Sequence, residues 1–167
     1  MRADRQALRA FSADGKGRSL VGGWFDAFPD DQLDALAQRV DRVVRPAGAG
    51  VREASDHGAW FLFAGEVQAS YLSADGQVVD LGRFGPGTLF GDLALLLDVP
   101  EPVRLVATVE THLGRLDPAE FWRWTESGDA AAVQFHRLLA RGLARRLRFA
   151  NQKMAENPAP NDQTTLM

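Results

Sequence analysis

The chain contains no cysteine. Disulfides, thiolate metal sites and cysteine nucleophiles are therefore excluded. Histidine is scarce as well: only His57, His112 and His136 occur, far apart and without ligand spacing. The His-x-His of a metal-binding β-roll is missing, so no metal is expected. Positive charge is not in excess. The 19 Lys and Arg residues face 22 Asp and Glu, giving a net charge of −3, whereas neutralising nucleic-acid phosphates usually requires a basic domain. No apolar run approaches the roughly 20 residues that span a bilayer. Met1 to Arg18 is polar, so no signal peptide is expected and a cytoplasmic location follows. Neither a strained Ser-nucleophile turn with His and Asp nor a Gly-rich Lys-Ser/Thr loop is present, and no enzymatic activity is expected.

What remains is ordinary in amount and informative in order. With 167 residues, 46% hydrophobic and 25% charged, the chain suits one soluble domain with a sizeable core. Residues 1–20, rich in Arg, Asp, Gly and Ser, read as a mobile leader, 21–156 as the domain and 157–167 as a polar tail. Pro29-Asp30-Asp31-Gln32 ahead of Leu33, Leu36, Ala37 and Val40 predicts a helix from about Asp30 to Arg42. From Val43 to Leu116 short apolar runs alternate with turn signals. Among these, Asp75-Gly76 predicts a hairpin between Val67–Leu72 and Val78–Leu81. Eight or so such strands suggest an antiparallel barrel or jelly roll. Asp117-Pro118-Ala119-Glu120 is a helix start with Asp117 as N-cap. A last helix from near Asp129 to about Ala155 carries Leu139, Leu143, Leu147, Ala150 and Met154 as an apolar seam among arginines. The expected class is α+β: a β-roll flanked by one N-terminal helix and two C-terminal helices, the last of them long.

The most informative segment is Phe84-Gly85-Pro86-Gly87-Thr88-Leu89-Phe90-Gly91-Asp92-Leu93-Ala94-Leu95. Such a turn presents backbone amides where a short helix begins, which favours an anion. Asp92 stands ready to accept hydrogen bonds from hydroxyl groups, and a sugar phosphate would satisfy both features. The plainer alternative is a tight strand-to-helix connection with Asp92 as an N-cap.

The order of elements resembles the cyclic nucleotide-binding domain over about residues 24–155. Phe90-Gly91-Asp92-Leu93-Ala94-Leu95 is similar to that family's Phe-Gly-Glu-x-Ala-Leu phosphate-binding cassette. Ala107-Thr108-Val109 is similar to the Ala-Thr-Val of the strand that follows it, and Leu143-Ala144-Arg145-Arg146-Leu147 to the long final helix of bacterial members. The resemblance implies Asp92 as acceptor for a ribose 2′-hydroxyl, and Gly91, Leu93, Ala94 and Thr108 at the sugar phosphate. The ligand it implies is cAMP or cGMP, with no other cofactor.

Two departures matter. Asp92 is one methylene shorter than the family's Glu, a loss of about 1.5 Å in reach. The arginine that neutralises the phosphate falls at Glu101 when counted forward from the cassette, and at Leu105 when counted back from Thr108. Arg104 lies beside these positions in a lengthened loop and is the expected phosphate partner if that loop bulges. Arg141 and Arg145 are the candidate lid residues of the last helix. After this helix too few residues follow for a helix-turn-helix, so DNA binding by that route is not expected. The expectation is a sensor that signals through its last helix, either in a homodimer or to a protein partner. The alternatives are a degenerate interaction module without nucleotide, or a site for another anion such as a cyclic dinucleotide.

Overall fold

Asp4 starts the first element. Its carboxylate accepts the Ala7 amide at 2.8 Å, an N-cap contact, and helix α1 runs over Arg5–Ala13. The computed structural model describes residues 1–13, 25 and 28–156. Residues 1–13 are docked rather than a mobile leader. Leu8 is fully buried, the Ala3 amide donates to the Val40 carbonyl at 2.7 Å, and the Arg42 amide donates to that of Met1 at 2.8 Å. The arginines that make this stretch look solvated have partners. Arg5 pairs with Asp30 and Asp34, and Arg9 donates to the Phe25 and Phe28 carbonyls and to Asp30. Local composition cannot reveal partners that lie 16 to 29 residues away. The expectations for residues 14–20 and 157–167 fall outside the described residues.

Helix α2 spans Asp30–Ala37 and stops short of the predicted Arg42. Val40 satisfies helical spacing, but it is β-branched and opens strand β1, Val40–Arg45, opposite Leu116. The tertiary pairing outweighs the weak local helical signal. Strands β2 (Ala59–Ala64), β3 (Val67–Leu72), β4 (Val78–Phe84), β5 (Leu89–Phe90), β6 (Val103–Ala107) and β7 (Thr111–Leu116) follow, with the short helix α3, Asp92–Leu97, between β5 and β6. They form two antiparallel sheets, ordered β1-β7-β2-β5 and β4-β3-β6. The predicted β3–β4 hairpin is present, and its turn is closed by Gly76, whose amide donates to Ser73 at 2.9 Å.

Helices α4, Pro118–Glu126, and α5, Ala130–Glu156, complete the fold. Asp117 caps α4 as predicted, accepting the Ala119 and Glu120 amides.

Strand β2 lies between two cores, which explains its uninterrupted apolar run Trp60-Phe61-Leu62. Alternate side chains of a strand point to opposite faces. Ala59 and Phe61 join the helix-side core with Leu8, Leu33, Leu36, Phe121, Trp124 and Phe135. Trp60 and Leu62 join the interior of the roll with Val67, Ala69, Leu105 and Leu113. Each large side chain so buried contributes about 1.5–3 kcal/mol, and the helix-side core fixes α5 against the strands that carry the cassette. Trp60 and Trp124 are therefore core residues, while Trp122 lies at the surface.

Candidate functional site

The cassette is held by β2. The Leu62 amide donates to Thr88 and the Gly87 amide to Leu62, both at 3.0 Å, and β5 pairs Phe90 with Trp60. The chain then turns at Gly91, whose φ of 76° lies in the left-handed region. A Cβ there would stand 2.3 Å from the Gly58 carbonyl oxygen. Glycine is thus required twice over, by conformation and by close approach. The Leu95 amide donates to the Gly91 carbonyl at 2.9 Å, which starts α3. Ala94 and Leu95 face the core and Leu93 faces out.

Asp92 is only 2% exposed. Its carboxylate is held by Arg146, reaching over from α5. Burial lowers the Arg146 pKa, while the adjacent carboxylate favours the charged form. Arginine does not give up its proton in proteins, so the contact is an ion pair. The acid read from the sequence as a free hydroxyl acceptor is therefore already occupied by a side chain of the last helix.

Of the other predicted ligand residues, Gly91, Leu93 and Ala94 belong to this constellation, and Arg104 does not. The lengthened loop returns to regular pairing by Val103, and Arg104 lies opposite Ser70 on β3 with its side chain exposed. Leu105, its neighbour, points inward and is 2% exposed. Pleating explains the correction, because adjacent strand residues cannot share a face. Thr108 directly follows β6, next to the Val67↔Ala107 pair that ends the β3–β6 register. There its hydroxyl donates to the Glu66 carboxylate at 2.6 Å.

On α5, Arg141 and Arg145 are exposed, and Arg146 is the residue that reaches the cassette. Sequence reading placed the seam one row off. The buried residues are Ala131, Ala132, Phe135, Leu139 and Gly142, and the next position of that row is Arg146. Leu147 and Met154 are exposed instead. The signal was available: Arg146 lies seven residues after Leu139 and four after Gly142, on the same face of a helix.

Arg52 was also missed. Its side chain is 3% exposed and anchors the lengthened loop, donating to the Glu101 and Val103 carbonyls at 3.3 and 3.2 Å and to that of Asp56 at 3.0 Å. Glu101 lies 3.9 Å away; burial raises its pKa and Arg52 opposes that shift. Nothing local in the sequence marks this arginine. Pairing of Gly50 with Val106 brings it there.

Beyond this loop lies a cleft of about 660 Å³ lined in part by Arg45, Arg52, Trp60 and Arg115. None of its lining residues belongs to the cassette, and its central cations are engaged. Arg115 grips Asp56 through two bonds of 3.1 and 3.0 Å and also donates to Asp117 at 3.0 Å. Burial pushes the Asp56 pKa up, but Arg115, the Gly58 amide and Trp60 outweigh it and hold the carboxyl below its usual range. This network ties the 50–58 loop to β7 and α4 and is structural. Among the described residues, no three His, Asp or Glu side chains gather to hold a metal, and no helix is long and apolar enough to cross a membrane.

A β-roll with a Gly-Asp cassette, roofed by a long helix, defines a class of regulatory domain. Residues 46–127 match the cyclic nucleotide-binding domain family. No curated protein matches the sequence. Among solved structures, the Thermus thermophilus catabolite activator protein is 25% identical over 79% of this chain and 61% of that one, with a TM-score of 0.68. This chain thus spans about 61% of that protein's length. A cyclic nucleotide-binding domain from Methylobacillus flagellatus superposes over 95% of this chain and 88% of its own, with a TM-score of 0.74 at 12% identity. The regulatory domain of Toxoplasma gondii PKA, solved with cAMP, is 14% identical over 82% of this chain and 48% of that one, with a TM-score of 0.61. The predicted β-roll class is confirmed by these likenesses and by the two antiparallel sheets.

Proposed function

We propose that the chain is a regulatory, non-enzymatic sensor that binds a cyclic mononucleotide, cAMP or cGMP, at the cassette and reports occupancy through α5. The observation that carries this reading is the Asp92–Arg146 contact. A ribose hydroxyl that takes Asp92 as its acceptor must share or take over a carboxylate held by a side chain of α5, so occupancy is coupled to that helix. Beyond Arg146 the helix is exposed to its end at Glu156, and Leu147, Phe149 and Met154 present apolar surface there. That segment is the output, received by a second copy or a protein partner in the cytoplasm. Calorimetric titration with cAMP and cGMP, paired with a thermal-shift series, tests the reading. Saturable binding is expected, and neither heat nor shift at millimolar ligand would refute it.

The residues at the family's arginine position favour a second reading. With an acid, Glu101, or an aliphatic chain, Leu105, where that arginine falls, the domain would serve as an interaction module without nucleotide, or take a different anion such as a cyclic dinucleotide. In the first case Asp92→Ala leaves partner binding unchanged while a charge at Leu143 abolishes it. In the second, a cyclic dinucleotide displaces cAMP in competition.

A further inference from the structure

The cassette lacks a cation of its own. Leu105 occupies the inward position of β6, Arg104 points away from the roll interior, and Arg52 is committed to Glu101 and three carbonyls. Among the described residues, the guanidinium seen at the cassette acid is that of Arg146, delivered from α5. Without it, a phosphate entering beside Asp92 would meet a buried carboxylate, while Arg52 and Arg115 are already engaged by other partners. Like charges at short range in a partly dry site repel strongly.

Arg146 suits a second task. A guanidinium carries five donors in a rigid fork, and a single nitrogen is enough to hold Asp92 here. The side chain is 37% exposed, so the rest of the fork is not sealed in the core.

We infer that Arg146 supplies the positive charge for the ligand's anionic group: sugar hydroxyls take over Asp92, and the guanidinium turns to the phosphate. The inference rests on the nucleotide reading above and deepens it. The ligand class is a monoanionic phosphate ester with a neighbouring hydroxyl. The phosphate cation is then carried by the helix that reports binding rather than by the cassette. Ligand and docked α5 therefore stabilise one another, and the coupling is reciprocal. Simple displacement would have the opposite effect, since an arginine that only blocks the acid competes with the ligand.

Titrations of wild type, Arg146→Gln and Arg146→Lys with cAMP, and with adenosine as a neutral probe keeping the hydroxyls, distinguish the two. Far-UV circular dichroism establishes that the variants are folded. The expected result is a tenfold to hundredfold loss of cAMP affinity in R146Q, about the value of a charge-assisted hydrogen bond. R146K should recover part of that loss, and adenosine affinity should change less than about threefold. Unchanged or tighter cAMP binding in R146Q would overturn the inference and leave Arg146 as a latch. So would equal losses in R146Q and R146K, which would point to packing. Wild type that binds neither probe would overturn the nucleotide reading, and this assignment with it.

Discussion

The pair that joins the cassette to α5 is asymmetric, and the asymmetry predicts unequal mutational costs. Asp92 is 2% exposed, whereas the Arg146 side chain is 37% exposed. Arg146→Ala leaves an ionised carboxylate in a dry site without its partner. Breaking a buried pair in this way costs about 3–5 kcal/mol, and the exposure of Arg146 argues for the low end, about 3 kcal/mol. Asp92→Asn keeps an oxygen that accepts from Arg146, and the guanidinium can turn to water along its flexible stem. That substitution should cost only about 1 kcal/mol. For a domain of this size each kcal/mol moves Tm by about 2–4 °C. Thermal unfolding at neutral pH should then fall by about 6–12 °C for R146A and about 2–4 °C for D92N. Equal losses, or a larger loss for D92N, would refute the reasoning, because they would mean that the acid and not the arginine can reach solvent.

Leu8→Ala should cost about 2–5 kcal/mol in chemical denaturation, because Leu8 is fully buried in the helix-side core; a dispensable leader would lose less than about 0.5 kcal/mol. The folded Asp56 pKa is depressed, so its stabilisation is complete above the unfolded value of about 3.9 and is lost as pH falls through the folded value. The stability gap between wild type and Asp56→Asn should therefore be largest above about pH 5 and close on further acidification, as read from unfolding curves across pH. Arg104→Ala should change neither stability, by more than about 0.5 kcal/mol, nor nucleotide affinity, because that side chain lies on the outer face.

Legibility in the sequence followed the range of the forces involved. The hairpin at Asp75-Gly76 and the Asp117 cap rest on contacts within a few residues, and the cassette turn carries the glycine that its left-handed backbone at Gly91 requires, so the sequence spells all three out. α1 was hidden because Arg5 and Arg9 pair with acids in the next helix. Only the short-range Asp4 cap marked its start. Arg104 was misplaced because a loop length says nothing about strand register. Leu105 and Arg104 differ by a single position, and the β3 pairing decides which faces inward. Arg146 was within reach, since the row Phe135, Leu139, Gly142 leads to it. The leucines mask that row, because Leu143 and Leu147 also recur at helical spacing. Its partner Asp92 lies 54 residues away in sequence, a pairing that no local pattern specifies.

The most direct test of the account is a crystal structure of the full chain grown with cAMP. The ribose hydroxyl should lie on Asp92, with the Arg146 guanidinium moved from that carboxylate to the cyclic phosphate and α5 still packed through Leu139 and Gly142. A ligand bound away from the cassette, or Arg146 still closed on Asp92 with the phosphate facing Leu105 alone, would contradict it.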